Sequence, residues 1–145
     1  MATTTATLSI TSSDLLPSSP LSINATTTLM KADTSVGLHM IESGSGELTV
    51  AASNNGVVVK EATTAGVNTA AKLYLCNKAT DATYYIQVKL HDIILGRLYA
   101  GDWMFMPWGQ GDTDAEISVE AEGGTCLYEW AIFKEGETMV ARTPA

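Results

Sequence analysis

Hydrophobic and polar positions alternate with period two along most of this chain, and nowhere does a period of 3.6 persist. Thr83-Tyr84-Tyr85-Ile86-Gln87-Val88-Lys89-Leu90 changes face at every residue, and Glu116-Ile117-Ser118-Val119-Glu120-Ala121-Glu122 does so with an acidic outer face. Alternation of this kind marks strands with one buried side. Runs at residues 72–76, 93–99, 102–106 and 126–133 read the same way, punctuated by Gly101, Gly109, Gly111 and Gly123-Gly124. Upstream the pattern is sparser. Leu21-Ser22-Ile23-Asn24-Ala25 alternates, residues 36–41 read as a short strand, Gly44-Ser45-Gly46 as a turn, and residues 47–51 and 57–60 as strands. Asn55-Gly56 is the best hairpin signal, because a type I′ turn needs φ > 0 at both central residues. Leu29-Met30-Lys31-Ala32 is long enough for one helical turn. About ten short strands, with turn signals roughly every ten residues, predict an all-β antiparallel β-sandwich of jelly-roll type. No internal repeat of fixed period is present, so propellers and solenoids drop out.

Composition divides the chain into three zones. Residues 1–20 are mostly Thr, Ser, Ala and Pro, with Pro17 and Pro20 bracketing Ser18-Ser19. They predict an extended N-terminal arm, ordered only where it lies on another surface, with Leu8, Ile10, Leu15 and Leu16 as its apolar anchors. Residues 21–135 form the sandwich, with the denser core from residue 71 onward, and residues 136–145 are a polar C-terminal tail. At 145 residues the chain is one domain, long enough to bury a core without staples. Thr and Ser together make up about a fifth of it, and Thr fits a pleated, half-buried surface.

The net charge is −8, and the eight basic residues are scattered singly. Nucleic acid and anionic membrane surfaces both need clustered Lys and Arg, so neither is an expected partner. Acidity keeps many copies soluble and complements a basic protein surface. No basic segment followed by an apolar core precedes Pro17, and no run approaches the roughly 20 apolar residues of a membrane span. Synthesis and folding in the cytoplasm is the expectation. The two cysteines, Cys76 and Cys126, both fall in predicted strands. They read first as small buried hydrophobes and second as a cross-sheet disulfide; with no CxxC spacing, zinc and thioredoxin-like readings fail.

Candidate chemistry is thin. His39 and His91 are the only histidines, and no GxSxG elbow accompanies either. Both read as strand or turn residues, His91 at the start of a His91-Asp92 hairpin turn. Gly109-Gln110-Gly111-Asp112-Thr113-Asp114-Ala115-Glu116 carries alternate carboxylates, as a calcium loop does, but departs from the EF-hand pattern after its third position. It reads as a solvated turn. Glu129 beside Tyr128 and Trp130, with Asp102 beside Trp103, would suit a paired-carboxylate glycosidase only if both acids met in one cleft. Alternation instead puts Glu129 on a solvent face. The expectation is therefore no catalytic residue, no metal and no cofactor. Trp103-Met104-Phe105-Met106-Pro107-Trp108 is the most apolar segment. Trp103 and Phe105 share one face, Met104 and Met106 the other, and Pro107-Trp108 is expected to be exposed. Burial on both faces suits a core strand that a second subunit also covers.

Arg97-Leu98-Tyr99-Ala100-Gly101-Asp102-Trp103-Met104-Phe105-Met106-Pro107 resembles a layout of small β-sandwich virion proteins of tailed bacteriophages. In those, a strand leads through A-G-[DE] into an aromatic-apolar strand ending at Pro. Ile117-Ser118-Val119-Glu120-Ala121 is similar to the strand that follows, and Leu127-Tyr128-Glu129-Trp130-Ala131-Ile132-Phe133 to the closing one. Leu73-Tyr74-Leu75-Cys76-Asn77-Lys78-Ala79-Thr80 fits upstream, with Asn77 opening a turn. The likeness spans residues 71–134 and is one of strand layout. Such proteins include capsid decoration (cement) proteins, head fibres, and tail or neck components. Short length and acidity fit decoration best. The resemblance implies a non-enzymatic protein of the capsid surface that binds the major capsid protein of the assembled shell, bridges its subunits, and forms a homo-oligomer, a trimer foremost. Contact would then fall to Leu8, Ile10, Leu15, Leu16, Trp103, Phe105, Pro107 and Trp108. The alternative is a carbohydrate- or receptor-binding module of a tail or head fibre, with Trp108, Tyr99 and Tyr128 as stacking platforms.

Overall fold

The computed structural model of the chain describes residues 3–14, 21–31, 34–38, 41–48, 57–60, 70–109 and 116–135. Leu15, Leu16, His39, the Asn55-Gly56 turn, the loop at 110–115 and the tail at 136–145 lie outside the described residues. All regular structure among the described residues is β, and every pairing is antiparallel. The strands are β1 (Thr4–Ser12), β2 (Leu21–Leu29), β3 (Ile41–Leu48), β4 (Val57–Lys60), β5 (Ala70–Asn77), β6 (Tyr85–Leu90), β7 (Ile93–Tyr99), β8 (Trp103–Gly109), β9 (Ile117–Glu122) and β10 (Cys126–Lys134).

Two four-stranded sheets, in the orders β3-β10-β5-β8 and β4-β9-β6-β7, pack against each other. From β3 to β10 the chain changes sheet at every step except the β6–β7 hairpin. One core cluster joins Leu48, Leu75, Cys126 and Tyr128 of the first sheet to Ile86, Val88, Leu98, Val119 and Ala121 of the second. A second joins Ala71, Leu73, Trp108 and Ile132 to Ile117. The sandwich expected from alternation is thus present, and strands β5 to β10 fall where the pattern puts them.

Two local expectations are corrected. Gly44-Ser45-Gly46 is no turn but the middle of β3, on the edge of its sheet. A Cβ on Gly44 would stand 2.8 Å from the Trp130 ring, and one on Gly46 would stand 2.6 Å from the Tyr128 hydroxyl. Glycine here clears a path for two rings of the neighbouring strand. Nor does the chain form a helical turn at Leu29-Met30-Lys31: Met30 bridges Gly37, and Leu38 N donates to Leu29 O at 2.9 Å, so it doubles back antiparallel. Thr4–Ser12 pairs along its whole length with Leu21–Leu29, from Thr4↔Leu29 to Ser12↔Leu21, as a separate two-stranded sheet.

The acidic outer face expected on β9 is only partly solvated. Glu120 is buried there, with Lys89 Nζ at 2.8 Å from its carboxylate. His91 sits at the β6–β7 turn as expected, with a left-handed φ of 52°, and its amide donates to Glu116 O at 2.7 Å. Cys76 and Cys126 are unpaired and buried, in line with the first reading of them. Burial pushes the Cys126 thiol up.

Candidate interaction surface

The β1–β2 hairpin is sorted by its own register into two unlike faces. Residues directly opposite one another share a face, so Thr4, Ala6, Leu8 and Ile10 stand with Leu29, Thr27, Ala25 and Ile23, and Ser12 with Leu21. The reverse face is Thr5, Thr7, Ser9 and Thr11 with Thr28, Thr26, Asn24 and Ser22, an array of hydroxyls and one amide in which Thr7 and Thr26 meet at 3.3 Å. Neither strand carries a charged residue. A two-stranded hairpin is at best marginally stable alone in water, so the apolar face needs a cover.

Part of that cover is the outer face of the β3-β10-β5-β8 sheet. Register places Trp103 opposite Cys76, Phe105 opposite Tyr74, and Pro107 opposite Lys72, all on one face. Phe133 of β10 joins them, its ring 5.9 Å from that of Phe105 in an edge-to-face contact. The base of the hairpin lies over this patch, and Thr4 Oγ1 donates to Leu38 O at 3.1 Å. The fit is loose. Between hairpin and sheet open a cleft of ≈ 350 Å³, bounded by Thr4, Ala6, Leu29, Tyr74, Trp103, Phe105 and Phe133, and one of ≈ 280 Å³, bounded by Ala6, Leu8, Ala25, Trp103 and Phe105. Trp103 remains 50% exposed and Phe105 39%.

The polar members of the patch are mutually satisfied. Tyr74 Oη donates to Glu129 Oε1 at 2.9 Å, with Lys78 Nζ 3.9 Å from the same oxygen. Partial burial, and after it the neighbouring Cys76 thiol and Glu129 carboxylate, hold the Tyr74 proton on well above the usual phenol range. Tyr74→Phe is expected to cost about 1 kcal/mol, because the ring stays and only the hydrogen bond goes; urea unfolding reads it. Glu129 is thus a structural acceptor on the outer face, while Asp102 accepts from Tyr99 N at 2.9 Å and serves its own turn. Among the described residues no group of three or more His, Cys, Asp or Glu side chains is placed to hold a metal ion.

Of the residues singled out from sequence, Leu8, Trp103 and Phe105 are brought together, and Pro107 shares their face. Ile10 stands farther along the hairpin, exposed. Trp108 is a correction: it is only 4% exposed and belongs to the core, because it lies on the inner face with Met104 and Met106. Tyr128 is likewise buried, so of the stacking platforms imagined for a sugar only Tyr99 is exposed. Leu21, Ile23, Tyr74 and Phe133 were not anticipated. The alternation from Leu21 to Ala25 was the available sign for the first two, and it becomes informative only with the pairing to β1. Comparison of the chain with protein-family models, curated proteins and solved structures yields no match.

Proposed function

We propose that the chain is a non-enzymatic structural component of a tailed-phage virion, a decoration protein that binds the assembled capsid and bridges its subunits. The observation that carries this reading is the charge-free, two-faced hairpin beside a half-exposed aromatic patch, an unmatched apolar surface that suits a macromolecular cover. The strand order supports it. Numbering the eight sandwich strands from β3, the sheets read 1-8-3-6 and 2-7-4-5, an order that supports the jelly-roll reading, an architecture used in capsid and lectin domains. Binding only the assembled shell stabilises it by RT ln(1 + [L]/Kd) per site, and copies that also hold one another add avidity.

The test is the content of purified particles of the virus that encodes the chain. The chain is expected in fixed ratio to the major capsid protein, and particles stripped of it should release their genome at a lower temperature. Particles without the chain would overturn the proposal. A second reading, a carbohydrate-binding module, is favoured by the clefts themselves, where Tyr74, Trp103 and Phe105 lie beside threonine hydroxyls. Glycan-array binding that Trp103→Ser abolishes, together with absence from the shell, would select it.

A further inference from the structure

We propose that the outer end of the β1–β2 ladder of one copy, at Ile10, Leu21 and Ile23, docks, head to tail, on the neutral aromatic cleft beside Trp103 and Phe105 of a second copy. The contact concerns only the chain's own surfaces and stands whether or not the protein sits on a shell.

The hairpin's apolar face is longer than the sheet beneath it. Leu29 is buried and Leu8 half-buried over the aromatic patch, but Ile10 is 43% exposed, Ile23 42% and Leu21 42%. The patch in turn keeps Trp103 and Phe105 partly bare, with the two clefts at their side. The same chain therefore carries an unmatched apolar projection and an unmatched apolar recess. They cannot satisfy each other within one copy. The hairpin is a continuous ladder tied down at its base, by Thr4 Oγ1 to Leu38 O and by Leu38 N to Leu29 O, and Ile10, Leu21 and Ile23 lie outside the lining of both clefts. Two different patches meeting between copies make a heterologous contact, which closes into a ring or runs into a filament according to the rotation between copies.

Charge selects a second copy as the occupant. Each chain carries −8, so two copies approach at least electrostatic cost where neither bears charge. The hairpin strands hold no charged residue, and both clefts are lined only by Ala, Thr, Leu, Tyr, Trp and Phe. A basic partner would instead be drawn to the acidic surface elsewhere. Extension of the sandwich sheets on this side is also obstructed: edge strand β8 carries Pro107, and edge strand β7 has a bulge at Leu95.

The experiment is light scattering on the purified full-length chain across a concentration series, with two variants and their mixture. Wild type is expected to show a mass above 15.3 kDa that rises with concentration. Ile10→Ser/Ile23→Ser removes the projection and Trp103→Ser the recess. Each is expected to weaken association about 100-fold or more and run as a monomer, with an unchanged far-ultraviolet circular dichroism spectrum. Mixed, the two monomers should form a dimer, because each supplies the half the other lacks. A wild type that stays at 15.3 kDa throughout overturns the proposal, as does a Trp103→Ser chain that associates like wild type, or a mixture that stays monomeric.

Discussion

Asn77→Ala is expected to cost the domain about 2–5 kcal/mol, seen as a fall in melting temperature on the order of 10–20 °C. Asn77 is fully buried at the end of β5, and all of its polar groups are used. Its Nδ2 donates to Leu98 O at 2.8 Å, and its Oδ1 accepts from Ala79 N at 2.8 Å. Its main chain donates to Asp102 O and accepts from Gly101 N, both at 2.9 Å. One residue thus binds the β5–β6 turn, the end of β7 and the β7–β8 turn together. Alanine leaves the Leu98 carbonyl and the Ala79 amide without their side-chain partners, and each such orphan costs about 1–3 kcal/mol in a buried setting. Asn77→Ala as stable as wild type in urea would mean that water replaces both contacts at no cost.

The isosteric change Asn77→Asp separates the two bonds by pH. An aspartate still accepts from Ala79 N, but ionised it faces the Leu98 carbonyl oxygen with no proton to offer. Burial then raises its folded-state pKa above the unfolded value of about 3.9. The sign follows from linkage. Below both values the carboxyl is protonated in either state and donates to Leu98 O; as pH rises past the unfolded value, the unfolded chain gives up its proton more readily and stability is lost. The variant is expected to approach wild type near pH 4 and to fall furthest below it at neutral pH. A deficit that does not change with pH would place the cost in packing.

How much of this was legible in sequence depended on what each pattern needs for its interpretation. Strands β5 to β10 were legible because alternation is a local property. The inner and outer faces of β8 were legible as far as Met106, but Pro107 suggested a break, and Trp108 was placed outside although it continues the parity of Met104 and Met106. Proline is tolerated in an edge strand, so the strand runs through it. Asn77 as a turn opener was legible; its bond to Leu98, twenty-one residues on, was not. The candidate surface was half visible. Leu8, Ile10, Trp103 and Phe105 stood out as apolar residues in odd places, but Leu21 and Ile23 acquire meaning only when β1 pairs with β2. A threonine-rich stretch has too little apolar content to announce a strand, though its alternation is regular once the partner is known. Tyr74 and Phe133 were hidden for another reason: β5 and β10 carry large apolar residues on both faces, and composition alone does not say which face a third layer covers.

The two glycines of β3 carry the other large prediction, because there the usual reading of glycine as turn residue is inverted. Replacing both Gly44 and Gly46 by Ala is expected to cost about 2–5 kcal/mol, the sum of two overpacked contacts. In an unhindered strand the same changes would stabilise slightly, since alanine restricts the unfolded chain more than glycine does. Here the added methyls meet rings: Trp130 Cε2 and Cζ2 at 2.8 Å from position 44, and Tyr128 Cζ at 2.7 Å from position 46. Tyr128 is buried among core residues of both sheets, so its ring has no free direction in which to retreat. The alternative, that glycine is needed for backbone freedom, makes a different forecast, and a double-mutant cycle distinguishes the two. In a Tyr128→Val background the ring is gone, and Gly46→Ala should become neutral or mildly stabilising, a coupling of about 1–3 kcal/mol. Equal destabilisation in both backgrounds would sink the ring-clearance account. A cycle that closes as expected would explain why β3 escapes a reading based on strand propensity: its residues are chosen by the strand beside it, and the aromatic pair of β10 supplies the apolar surface that a glycine-bearing edge strand cannot.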